Sequence, residues 1–426
     1  MKGTSVSTIR RNSLFLFLVW PFFTLIYAIR NYQANWAKDI IWLFVVFHGL
    51  TITIHDVGEE KRDANRYRDK FVKMAAKSVT FQNITSLFYT EDEDTQYVDV
   101  LELIIIYIVS RFSANYHVLF AVFGLIFGYF YSRNIWYLIE KAGGKLAREN
   151  IPIIFTFAFI VGFWEINGFR FYTAVHLFFY GALPYLLEGN KKRLWFSAIA
   201  MLMHFSFVAP VGILLIYLLL RNRTNVYFAL FITTFFVKEL NVGQVGEFLS
   251  NNLPEIFLPR VKNYTSDAYL EVLDVLSSRG NWYIKLYDDA LKWSVVSFLI
   301  VIFMTGKGFL KKYNGLQNLF SFTLLFYSFA NIFALIPSGG RFIALANLFS
   351  VAIIFMYVQF APRVKLLRRV ILLALPALGL FSIVSVRVAI DTMGFFSILG
   401  NPILSSFIDA DITIIEVVKN LLGIKI

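Results

Sequence analysis

The stretch LWFSAIAMLMHFSFVAPVGILLIYLLLRNR, Leu194 to Arg223, decides how the loops on either side of it are read. It is apolar for about 27 residues, enough for one tilted helix to cross a bilayer. Its flanks argue against a single crossing. Lys191, Lys192 and Arg193 precede it, Arg221 and Arg223 follow it, and basic loops collect on the cytoplasmic side of a membrane. One crossing would put one cluster on the wrong face. A pair of short helices that dips in and returns, bent over His204–Pro210, satisfies both ends. A histidine at membrane depth should face protein or a water-filled cavity and is a functional candidate by default. The competing reading is a core histidine in one long helix.

The rest of the chain has the same character. It is 58% hydrophobic and 16% charged, with a mean hydropathy of +0.63, whereas a soluble domain is about a quarter charged. Repeated apolar runs predict an all-α polytopic membrane protein of about 10–12 transmembrane helices, counting the broken pair. The net charge of +12 sits in short loops between spans, so it is an orientation signal and no nucleic-acid footprint. The absence of cysteine excludes disulfides, iron–sulfur clusters and thiol catalysis. Histidines 48, 55, 117, 176 and 204 show no HExxH-like spacing, so neither a zinc site nor any cofactor is expected.

Taken in order, Lys2, Arg10 and Arg11 precede a retained first span, Ser13–Ile29, and a second span follows at Ile40–Ile54. A polar loop, residues 55–96, then carries HDVGEEKRDANRYRDKF and the acidic run Glu91–Asp94. Asp63, Tyr67 and Phe71 recur every fourth residue, which places them on one helical face. A carboxylate beside a phenol suits a sugar or a phosphate neighbour, though a solvated helix has the same spacing. Val98–Ser110 is apolar but short and contains Glu102, which fits a half-helix. Spans at His117–Leu138, Ile151–Trp164 and Phe171–Leu187 enclose a basic loop and then the turn EINGFR, with Glu165, Asn167 and Arg170 at a helix mouth. Arg170 is either a ligand contact or a snorkelling anchor. After Val226–Lys238 comes a second long loop, residues 239–289, whose length points to a function. Four more spans follow, at Ala290–Met304, Leu316–Ile336, Phe342–Phe360 and Val370–Ile390. The PSGGR turn, Pro337–Arg341, lies on the face opposite the basic loops, and the tail, residues 391–426, is expected to lie along the external membrane surface.

The basic loops alternate cleanly from the C-terminus back to about residue 140. Nearer the N-terminus two topologies stay open. If Val98–Ser110 is a half-helix, the 55–96 loop is external and Arg10 and Arg11 lie outside; if it crosses, both are cytoplasmic.

The external turns assemble Arg170, Arg341, His204, Asp63, Tyr67 and Glu165. Two guanidinium groups at one membrane face suit a pyrophosphate, because each binds oxygens in pairs and stays charged. A histidine or carboxylate beside them can take the proton of an attacking hydroxyl. This is the chemistry of transfer from a lipid-linked pyrophosphate donor, with the leaving group neutralised by arginine and not by a metal.

Four segments carry a resemblance. DANRYRDKF (Asp63–Phe71) resembles an Asp-x-x-x-Tyr-x-x-x-Phe segment after the second span, and NGFRFYTA (Asn167–Ala174) an arginine that starts a span. KKRLWFSAIAMLMHFS (Lys191–Ser206) resembles a basic loop leading to His-x-Ser, and PSGGRF (Pro337–Phe342) a late Gly-Arg-Phe turn. In this order the chain resembles the EpsG-type, Wzy-like family of bacterial polysaccharide repeat-unit polymerases. The resemblance implies a membrane glycosyltransferase of GT-C-like architecture in the bacterial cytoplasmic membrane. Such an enzyme polymerises undecaprenyl-pyrophosphate-linked oligosaccharides on the outer face, with flippase and chain-length regulator proteins as partners. It also implies an external 55–96 loop. Catalytic candidates are then His204, Asp63, Arg170 and Arg341, with Tyr67, Glu165, Asn167, Ser206 and Arg66 contacting substrate. The chain departs from the family at Arg62, where a glycine usually precedes the aspartate, which puts the role of Asp63 in question. A transporter or flippase of lipid-linked sugars is the alternative; it would share the arginines but usually shows repeated spans, and none is evident.

Overall fold

The computed structural model describes residues 6–54, 63–76, 99–143, 145–237, 247, 251, 282–336, 338–390, 392–405, 407–408 and 412–423. Most of the two long loops expected at 55–96 and 239–289, including Glu91–Asp94, lies outside the described residues. Among the described residues the chain is helical, with no strand and one isolated bridge, between Gly394 and Thr413.

The helices are α1 (Val6–Val19), α2 (Pro21–Arg30), α3 (Ala37–Leu50), α4 (Asp63–Ala76), α5 (Val100–Ser110) and α6 (Tyr116–Lys141). Next come α7 (Asn150–Ile160), α8 (Phe169–Glu188), α9 (Leu194–Met203), α10 (Val208–Leu220), α11 (Thr224–Phe235) and α12 (Trp282–Thr305). The last are α13 (Lys307–Lys312), α14 (Asn314–Phe333), α15 (Arg341–Phe360), α16 (Lys365–Ile390), α17 (Phe395–Leu399), α18 (Pro402–Ser405) and α19 (Ile414–Leu421). Among the described residues, four runs are long and apolar enough to cross a membrane: Tyr116–Lys141, Asn150–Glu188, Arg341–Phe360 and Lys365–Ile390. Shorter apolar helices accompany them.

Helices α8 and α15 form the centre, buried along nearly their whole length. Phe349 of α15 packs its ring 4.8 Å from Phe179 of α8 and 5.0 Å from Phe322 of α14, so aromatic bulk fills the space that aliphatic side chains would otherwise take. His176 is a satisfied core histidine: Nε2 lies 3.2 Å from Val161 O, and the ring stands beside Asn134.

Helices α3 and α6 approach more closely than side chains normally allow. A Cβ on Gly124 would stand 2.5 Å from the Val45 carbonyl oxygen and 2.9 Å from Val46 Cα. Small residues at such contacts let apolar helices pack by backbone approach. Gly124→Ala is therefore expected to destabilise the protein by about 1–3 kcal/mol, outweighing the roughly 1 kcal/mol that alanine adds to helix propensity. Gly212→Ala, in α10 with open space around its Cβ, should instead raise the melting temperature in detergent. Equal shifts for the two variants would refute the packing argument.

The expected single span Ser13–Ile29 is corrected. Pro21 cannot donate to the preceding turn and its ring crowds the carbonyl four residues back, so the helix breaks at Trp20, whose backbone is extended (φ −151°, ψ 91°). The two pieces fold back on each other. Arg10 reaches Asp39 at 3.7 Å, which also pairs with Arg133 at 2.6 Å, while Phe17 packs on Phe47 further along α3. Arg10 thus lies at the end of the bundle where Lys38 pairs with Glu140, Lys141 with Glu188, and Arg363 with Glu149. Both N-terminal topologies require the first apolar run to cross the membrane once. Because it turns back, a basic N-terminus can share an end with the basic loops while α4 sits at the other.

Leu194–Arg223 is interrupted at His204, whose extended backbone (φ −149°, ψ 118°) separates α9 from a 3-10 turn, Phe205–Phe207, leading into α10. Arg193 lies 4.7 Å from the Tyr180 ring centroid, and Arg221 Nη1 donates to Tyr185 Oη at 3.0 Å. Both basic ends therefore lie beside the C-terminal half of α8. His204 meets Phe171, in the first turn of that helix, with ring centroids 5.4 Å apart. In the tail, Thr413 and Glu416 form a capping box that starts α19.

Candidate functional site

The first turn of α8 points Arg170 at α4 and at the head of α5. Its Nε donates to Tyr67 Oη at 3.1 Å and its Nη1 to Asp99 Oδ2 at 3.0 Å. Nη2 faces Asp63 Oδ1 across 3.8 Å, an ion-pair distance too long for a hydrogen bond. Arg66, mostly exposed, meets the same Asp63 oxygen at 3.6 Å.

The predicted face of α4 is the one that turns inward. Tyr67 is 1% exposed and Phe71 fully buried, with the Tyr67 ring set edge-on against Phe123. Tyr67 thus touches Arg170 and the core, and burial raises its phenol well above the ordinary range.

Asp99, which sequence reasoning missed, is 1% exposed. One oxygen takes Arg170; the other accepts from the Phe205 backbone N–H at 2.9 Å. A single buried carboxylate therefore joins the arginine of α8 to the break after His204. One turn along α5, Glu102, also 1% exposed, accepts from Lys70 Nζ at 2.9 and 3.2 Å. Burial pulls the Lys70 ammonium below its ordinary value, against the Glu102 carboxylate, which pulls it up. Asp99 and Glu102 are three residues apart at the head of an otherwise apolar helix, and that spacing on one face was the available signal.

His204 caps the 3-10 turn that follows it. Its Nδ1 accepts from the Ser206 backbone N–H at 3.3 Å and lies 2.7 Å from Ser206 Oγ. A ring nitrogen that accepts a backbone N–H carries no proton, so the neutral ring holds its hydrogen on Nε2. Arg341 is exposed at the start of α15, with its guanidinium 5.8 Å from the centroid of Phe171. His204 and Arg341 therefore share one aromatic neighbour, the residue after Arg170. Glu165 lies near Tyr172 and Arg341; Asn167 is half-buried in the same 3-10 turn, Phe163–Gly168.

The predicted residues thus fall at one end of the bundle in two groups. Asp63, Arg66, Tyr67 and Arg170 touch directly, while His204, Ser206, Arg341 and Glu165 cluster about Phe171 and Tyr172. Asp99 links the groups. Two guanidiniums, an imidazole and several carboxylates are thus gathered at one end of the bundle.

A family model described as the EpsG family matches residues 40–399 of the chain. No curated protein and no solved structure matches it.

Proposed function

The chain belongs to the EpsG family, and on that premise we propose that it joins lipid-linked oligosaccharide repeat units at the end of the bundle where Asp63, Arg170, His204 and Arg341 gather. Membership makes it a multi-pass membrane protein of the polysaccharide-polymerase type. The finer reading is a metal-independent glycosyltransferase of GT-C-like architecture in the bacterial cytoplasmic membrane. Its substrates are undecaprenyl-pyrophosphate-linked oligosaccharides, and its product is a capsular polysaccharide, exopolysaccharide or O-antigen chain. A flippase that supplies substrate and a chain-length regulator belong to the same reading. With the basic end in the cytoplasm, the site faces outward. The shared position of Arg193 and Arg221 beside one end of α8 supports a re-entrant Leu194–Arg223 pair.

The observation that carries the reading is Asp99, which ties Arg170 to the backbone after His204 and so preorganises both for one ligand. The donor pyrophosphate takes Arg341 and the Nη2 edge of Arg170, where Asp63 stands off at 3.8 Å. Phosphate oxygens there release Asp63 from the guanidinium. Its carboxylate then accepts the proton of the acceptor sugar hydroxyl as that oxygen attacks the donor's anomeric carbon. The new glycosidic bond forms while the bond from the anomeric carbon to the pyrophosphate oxygen breaks. Undecaprenyl pyrophosphate leaves with its charge held by the two arginines and the His204 Nε2–H.

Purified protein in nanodiscs, given a lipid-linked oligosaccharide, should yield a ladder of products. Asp63→Asn should slow elongation about 10²- to 10⁴-fold while substrate still binds. A wild-type protein that makes no ladder, or an Asp63→Asn protein that elongates at the normal rate, would overturn this reading.

A further inference from the structure

The opposite end of the bundle holds a cavity of about 470 Å³ between the 221–223 turn, the start of α11, the end of α12, and α13. Arg223, Lys307 and Lys311 line it, and among the described residues no carboxylate does. Lys307 and Lys311 are four residues apart on one short helix, so a single face presents both. The Lys307 ammonium lies 4.7 Å from the Phe303 ring centroid.

The turn that delivers Arg223 is strained. Arg221 has φ 55° and ψ −149°, a region almost confined to glycine, and such a conformation persists only where its surroundings over-determine it. Here they do. Arg221 Nη1 donates to Tyr185 Oη at 3.0 Å, Tyr227 Oη donates to Arg221 O at 2.8 Å, and Asn222 Nδ2 donates to Asn318 Oδ1 at 2.6 Å.

At the cavity wall, helices α11 and α12 pack through the stacked rings of Phe228 and Phe303, 3.7 Å apart, and Phe303 also lines the cavity. Their outer surface shows apolar side chains: Val226 is 57% exposed, Leu230 43% and Met304 65%. A cationic cavity thus opens beside an apolar strip of a membrane protein.

We propose that this cavity binds the headgroup phosphate of an anionic phospholipid, with the acyl chains lying along Val226, Leu230 and Met304. Three cations without a lining carboxylate select a headgroup of net negative charge over a zwitterion. The adjoining strip selects a lipid over free phosphate, because only a lipid covers it. The proposal is independent of the polymerase reading, since it concerns the other end of the bundle and needs only a membrane protein.

The test is lipid binding to the full-length protein in detergent, followed by native mass spectrometry with phosphatidylglycerol, phosphatidylcholine and inorganic phosphate as probes. Phosphatidylglycerol should bind in preference to phosphatidylcholine. Arg223→Gln, Lys307→Gln and Lys311→Gln should each weaken it about fivefold and leave phosphatidylcholine unchanged. Millimolar phosphate should not displace it. The Lys307→Arg, Lys311→Arg double variant keeps the charge and should keep the preference, so the test stays decisive if a neutral triple variant misfolds. Equal binding of the two lipids, an unchanged preference in a folded triple variant, loss of the preference in the Lys-to-Arg variant, or displacement by phosphate would each overturn the proposal.

Discussion

Replacing Arg170 by alanine is expected to stop chain elongation, slowing it at least about a hundredfold, and to weaken the fold at the same time. Both effects follow from one geometry. The guanidinium supplies the edge that faces Asp63 and is the partner of a carboxylate that is 1% exposed. Removing one member of such a pair leaves an uncompensated charge and costs about 3–5 kcal/mol. Loss of product alone would therefore not tell a dead site from a damaged protein. The double variant Arg170→Ala, Asp99→Asn separates them, since a neutral amide still accepts from Phe205 N–H but carries no charge. It should regain most of the lost melting temperature and none of the elongation. Arg170→Lys keeps the charge but cannot reach Tyr67 and Asp99 with two separate nitrogens, so it too should elongate poorly while inserting normally. A normal ladder from Arg170→Ala removes the arginine from the site.

The second large effect is at His204, where alanine should cost about 10²- to 10³-fold in elongation. Two losses are combined there, the cap on Ser206 N–H and the Nε2–H beside the leaving group, and two further substitutions divide them. The His204→Asn side chain would place an oxygen near the position of Nδ1, restoring a cap worth about 1 kcal/mol, without reaching the ligand. The longer side chain of His204→Gln would reach it with an amide N–H. If His204 acts as a donor, His204→Gln should stay within about tenfold of wild type and His204→Asn should match the alanine variant in rate but exceed it in melting temperature. A general base behaves differently, because neither amide accepts a proton. His204→Gln as inactive as His204→Ala would restore the histidine to the base role and release Asp63 from it.

How much of this was legible beforehand differs from residue to residue. The Asp63, Tyr67, Phe71 face was readable because helical periodicity is local, and the structure turns that face inward. The interruption at His204 was readable from matched basic flanks around one apolar run. Asp99 was legible only as one of two acids, with Glu102, at the head of an apolar segment; its role was not, because that lies in partners 71 and 106 positions away along the chain. Tyr67 illustrates a different limit. Spacing placed it beside Asp63, but only packing showed its hydroxyl occupied by Arg170.

What the sequence by itself determined is the membrane character, the helical class and the segments that carry the family match, since hydropathy, charge asymmetry and short-range spacing are properties of a few neighbouring residues. The tertiary structure decided which of those segments meet. It made the first apolar run a hairpin at Trp20–Pro21, set Arg10 beside Asp39, and joined Arg170 to the His204 break through one buried carboxylate. The physical reason is desolvation. A charge removed from water must find its partner wherever the fold brings one, and that choice is made across the bundle, beyond the reach of local pattern.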